Sequence, residues 1–133
     1  MNRTHRPWTR RASALVVALA VVGATASMAS ASSPTLVTRS GDCSGPSHWT
    51  LTLRKSGINL RIKYAVAGGA SGQTWNVFAD QNDAFLFAVS RTSGVGGTFA
   101  VNRVVDDLPG VDAIHVEAQN RRTGEICGGS ASL

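Results

Sequence analysis

WTLTLRKSGINLRIKYAV, from Trp49 to Val66, decides the fold class. Trp49, Leu51 and Leu53 alternate with Thr50, Thr52 and Arg54. After Lys55-Ser56-Gly57, the run Ile58, Leu60, Ile62, Tyr64, Val66 alternates with Asn59, Arg61, Lys63 and Ala65. A period of two sends successive side chains to opposite faces of a strand. Each run therefore has one apolar and one wet face, and a Gly-containing turn joins them. The stretch predicts an antiparallel hairpin with one side facing a core.

The same rhythm continues downstream. Gln73 to Asp80 carries Trp75, Val77 and Ala79 on one face, and Ala84 to Arg91 carries Phe85, Phe87 and Val89. With Gln81-Asn82-Asp83 all in the loop, Ala79 pairs with Phe85 and Val77 with Phe87, which keeps the core face continuous. That register leaves Phe78 and Leu86 opposite one another on the outer face. They are the candidate partner contact: one exposed apolar contact is ordinary, whereas a larger patch there marks an interaction site. Thr98 to Val105 carries Phe99 and Val101; Asp112 to Asn120 turns Ile114, Val116 and Ala118 inward; Glu125 to Leu133 is the last strand. An edge strand is expected over Thr35 to Arg39, within a Ser-, Gly- and Pro-rich segment. Turn signals recur every 8–14 positions, as in an all-β sandwich.

The N-terminus reads differently. Residues 1–11 hold Arg3, Arg6, Arg10 and Arg11 and no acid; Ala12 to Ala26 is almost all Ala, Val and Leu; Ala29-Ser30-Ala31 is a small-x-small site. That order is a secretory signal peptide, with cleavage expected after Ala31. The apolar run falls short of the ~20 residues of a spanning helix. The domain plan is thus residues 1–31 as signal peptide, 32–46 as N-terminal segment with the edge strand, and 47–133 as β-sandwich. The formal charge of +5 belongs mostly to the signal: beyond Ala31, nine basic residues face eight acidic ones. A net +1 gives no argument for nucleic acid, nor for a membrane partner after cleavage. Cys43 and Cys127 are the two cysteines. In an exported chain they read first as a disulfide, since two Cys without a nearby His pair do not close a zinc site.

The stretch from Asp107 to Glu125, DLPGVDAIHVEAQNRRTGE, resembles the late strands of fibronectin-type-III and other immunoglobulin-like domains. There a Leu-x-Gly corner leads into an alternating strand ending Ala-x-Asn, then a turn and the last strand. The chain is also similar to small secreted proteins of high-GC Gram-positive bacteria with no assigned activity. The resemblance implies an immunoglobulin-like sandwich of about seven antiparallel strands. Its sheets would hold strands 48–55, 58–67 and 98–105 against 73–80, 84–91, 112–120 and 125–132. It also implies that the first and last strands run close together, bringing Cys43 and Cys127 within bonding reach.

No constellation of catalytic residues stands out. His115 shares a face with Glu117, and His48 opens a strand; both fit solvated strand faces. Asp106, Asp107 and Asp112 lack the spacing of a calcium loop and fit a capped corner. The Gly-rich loops at 68–72 and 94–97 lack the Lys and helix of a phosphate cradle. The expected function is therefore a secreted, non-catalytic binding or structural module without metal or cofactor. Its partner would be an extracellular protein or a cell-wall component. A protease inhibitor presenting Ala67 to Gly72 or Ser93 to Gly97, or a small-ligand carrier, is the alternative.

Overall fold

The structure, a computed structural model, describes residues 34–133. The expected signal peptide lies outside the described residues. Eight strands follow in order: β1 (Leu36–Asp42), β2 (His48–Ser56), β3 (Asn59–Ala67), β4 (Thr74–Gln81), β5 (Ala84–Thr92), β6 (Phe99–Asp106), β7 (Ala113–Asn120) and β8 (Ile126–Ser132). They form two four-stranded antiparallel sheets, ordered β1-β2-β3-β6 and β5-β4-β7-β8. The strands divide between the sheets as the resemblance implied. The edge strand is real and longer than expected: β1 runs to Asp42 and pairs with β2 along its whole length.

The core lies between the sheets. Trp49, Leu51, Leu53, Leu60, Ile62, Tyr64, Val66 and Val101 come from the first sheet; Trp75, Val77, Ala79, Ile114, Val116 and Ala118 come from the second. Cross-strand pairing builds it. Leu51 sits opposite Tyr64, Leu53 opposite Ile62, Val77 opposite Ala118 and Ala79 opposite Val116. Partners across a ladder share a face, so each apolar run reinforces the next. Trp75 and Phe99 meet across the sheets with ring centroids 5.4 Å apart. The Tyr64 hydroxyl donates to the Cys127 carbonyl at 2.7 Å, and burial raises its pKa. Beside it, Cys43 and Cys127 form a disulfide with Cα atoms 4.3 Å apart. Cys43 follows the edge strand of one sheet and Cys127 lies in the edge strand of the other. The bond therefore pins the two sheets at one side.

Two expected positions are corrected. Ile58 is not the first core residue of β3. Gly57 and Ile58 make the turn between the paired Ser56 and Asn59, which leaves Ile58 83% exposed. The β4–β5 hairpin turns on two residues rather than three: Gln81 pairs with Ala84, and Asn82 and Asp83 both take positive φ, 51° and 64°. Two successive positive-φ residues match the right-handed strand twist, and Asn and Asp tolerate that region. A two-residue turn alone would reverse the faces of β5. A β-bulge restores them: after Asp80–Phe85 the register jumps to Ala79–Phe87, with Leu86 as the extra residue. Phe87 and Val89 thus face in as expected, but Phe85 faces out and is 71% exposed.

Candidate functional site

Four clusters collect chemically capable side chains. The first closes the end of the sandwich where the β2–β3 turn, the β4–β5 hairpin and the β6–β7 corner converge. Asp112 is fully buried. Its Oδ1 accepts from Gln81 Nε2 at 2.6 Å and from the Leu108 amide at 3.3 Å. Gln81 Nε2 also donates to the Asp106 carbonyl at 3.0 Å. The Lys55 ammonium lies 2.9 Å from Asp107 Oδ1 and 3.8 Å from Asp112 Oδ2. The hydrogen bond from Lys55 holds the Asp107 carboxyl below its ordinary value, and the same contact raises Lys55. The Lys55 cation offsets the charge of the two carboxylates and the group ties three loops together, although the buried Asp112 Oδ2 keeps no hydrogen-bond partner. The chemistry of this group is that of a corner cap.

The two histidines stay apart. His48 Nδ1 meets Asp42 Oδ1 at 2.7 Å on an exposed edge of the first sheet. His115 Nδ1 meets Ser130 Oγ at 2.9 Å on the second. Glu117 shares the His115 face, as the alternation required, but the hydrogen bond goes to Ser130. The second cluster is Cys43, Cys127 and Glu125, which lie close enough to suggest a metal set. Both sulfurs are spent in the disulfide, however, and Glu125 Oε1 accepts from the Ser47 amide at 2.8 Å. Thiolate ligands are what such a set would need.

The third cluster is the pair of glycine-rich loops. They brace one another: the Gly68 amide donates to the Gly96 carbonyl at 2.8 Å and the Gly72 amide to the Ser93 carbonyl at 2.7 Å. Ser93 Oγ donates to the Ala70 carbonyl at 2.7 Å. A Cβ on Gly97 would lie 2.3 Å from the Gly69 backbone, so the loops pack as closely as glycine allows. Val95, at the tip, is 92% exposed.

The fourth is the outer face of the second sheet. Phe78 is 45% exposed and pairs with Ala88, while Leu86 is partly buried and packs against the core. The expected Phe78–Leu86 pair does not form, because the bulge moves Leu86 out of that row. Phe85 takes its place. It is paired with Asp80, and Asp80 follows Phe78 by two positions on the same face, so Phe78 and Phe85 occupy diagonal positions of one outer face. Glu117, paired with Phe78 on the other side, adds a carboxylate beside them. The turn signal Asn82-Asp83 carried the information that would have placed Phe85 outside. The compensating bulge has no comparable signature in sequence. Comparison of the chain with protein-family models, with curated proteins and with solved structures found no match.

Proposed function

We propose that this chain is an exported, non-catalytic binding module of immunoglobulin-like type, and that it engages an extracellular protein or a cell-wall component through the outer face of its second sheet. The strand order supports the type. With β1 set aside, β2, β3 and β6 face β5, β4, β7 and β8. That is the arrangement in which strands A, B and E face C′, C, F and G. A disulfide between sheet edges is consistent with an oxidising compartment. The signal-like N-terminus supports export. Against an enzyme stand the separate histidines and the use of Asp107 and Asp112 as a corner.

The observation that carries the reading is the exposed pair Phe78 and Phe85, 45% and 71% accessible, on the β4–β5 hairpin. Leaving two phenyl rings in water costs the domain solubility and contributes nothing to its core. Aromatic anchors ringed by polar groups are what partner surfaces are built from. Phe78→Ser with Phe85→Ser should leave the fold intact and abolish capture of the partner by the purified, oxidised domain from native culture supernatant and cell wall. Undiminished capture by the double variant removes this face from the account. The braced loop with Val95 at its tip favours a second reading, a loop-presenting inhibitor. Inhibition of a secreted protease that disappears in Val95→Asp would establish that reading instead.

A further inference from the structure

The outer face of the first sheet is chemically unlike that of the second. Two adjacent cross-strand rows run across its four strands: Leu36, Arg54, Arg61, Val104 and then Thr38, Thr52, Lys63, Asn102. Arg54 and Arg61 are directly opposite one another, and Lys63 follows Arg61 on the same face. Like charges directly opposite on a sheet destabilise it. Among the described residues, none of the three makes an ion pair. Asp106, two positions beyond Val104 on the same face, is the nearest acid along β6 and joins none of them. The three cations thus repel one another with no structural return. Around them lies a groove of about 520 Å³ whose apolar lining is the exposed Leu36 and Val104. Small-molecule sites span about 300–1,000 Å³ and combine an apolar lining with a few polar groups. No phenyl, phenol or indole ring lies on this face among the described residues, so the stacking platform of a single-stranded nucleic-acid site is missing.

We propose that this groove binds a small organic anion: a carboxylate or phosphate monoester held by Arg54, Arg61 and Lys63, with an apolar body lying against Leu36 or Val104. A guanidinium presents paired donors to such oxyanions. The four-strand row spans about 14 Å, room for a chain of several carbons beside the charged centre. This site is separate from the aromatic face and stands or falls without it.

Titration of the isotopically labelled domain with decanoate and with decyl phosphate tests the proposal, with decyltrimethylammonium as control. The expected result is saturable shifts of the Leu36, Arg54, Arg61 and Val104 amides by one or both anions, and none by the cation. Which anion binds tighter names the head group. Arg54→Gln with Arg61→Gln should weaken binding by about tenfold or more. The same variant should unfold at an equal or higher temperature, since it removes a like-charge pair, so lost binding cannot be ascribed to lost folding. Equal response to the cation, unchanged affinity in the variant, or shifts confined to Phe78 and Phe85 would each overturn the proposal. So would salt-sensitive self-association that the variant abolishes without any anion binding. That outcome would assign the cations to Asp80 and Glu117 of a second copy.

Discussion

Gly129 faces the core from β8, opposite Val116, and the indole of Trp49 lies on it. A Cβ there would come within 2.1 Å of the ring. Gly129→Ala therefore forces Trp49 out of place. Overpacking of this kind costs about 1–3 kcal/mol. For a domain of this size that is a fall of several degrees or more in melting temperature, measurable by thermal unfolding. The Lys55–Asp107 contact gives a prediction in pH. Asp107 has a folded pKa below its ordinary 3.8, so its contribution is complete above that value and is lost as pH falls through the depressed one. Lys55 is raised above 10.5, so its contribution is complete below that value and is lost as pH rises through the raised one. Lys55→Met should therefore flatten the stability–pH curve at both ends; slopes identical to the parent at both ends would show the contact to be idle. At this scale much was legible in the sequence. Trp49, Trp75 and Tyr64 are buried where alternation placed them. Phe85 was misplaced because its face is set by the two-residue turn at Asn82-Asp83, which puts it opposite Asp80, and not by the alternation of its own neighbours.

At the scale of the element, the β4–β5 hairpin carries the reading of the second sheet. Asn82 is held: its side-chain Oδ1 accepts from the Ala113 amide at 2.8 Å, and its own amide donates to the Ala113 carbonyl at 2.8 Å. Asp83 has a positive φ of 64° and is exposed. Glycine suits that position of a two-residue hairpin turn better than aspartate. Asp83→Gly should raise stability by about 0.5 kcal/mol, read by denaturant unfolding, and leave Phe78 and Phe85 where they are. A clear loss of stability would mean that the turn is not of the kind described. The strand positions were readable because alternation is local. The choice between a two- and a three-residue turn was not readable from alternation, since a two-residue turn with a bulge and a longer turn without one both keep Phe87 and Val89 in the core; only the Asn82-Asp83 pair pointed to the shorter turn. The three-residue choice followed from demanding a continuous apolar face that included Phe85, which the folded chain does not need.

At the scale of the whole molecule, two sheets are closed by a disulfide spanning 84 positions. In the chain-entropy account a loop that long contributes about 4–5 kcal/mol by restricting the unfolded chain, comparable with the whole stability of many small domains. Cys43→Ser should lower the melting temperature sharply. Intact mass with thiol labelling of the purified oxidised protein should find no free thiol before reduction and two after it. The division of strands between sheets was legible in the sequence. The segregation of charge was not. A net charge near neutral hid a cationic outer face on one sheet and a carboxylate-flanked aromatic face on the other, because which side chains become neighbours is set by pairing and not by composition. If, as proposed, the domain meets its partner through Phe78 and Phe85, the contact is open to direct capture. The most direct measurement places a photo-reactive benzoylphenylalanine at position 85, and separately at position 95, in the purified oxidised domain, with irradiation against native supernatant and cell wall. One discrete adduct is expected from position 85, lost when Phe78→Ser is added, and none from position 95. An adduct from position 95 alone, or none from position 85, would contradict it.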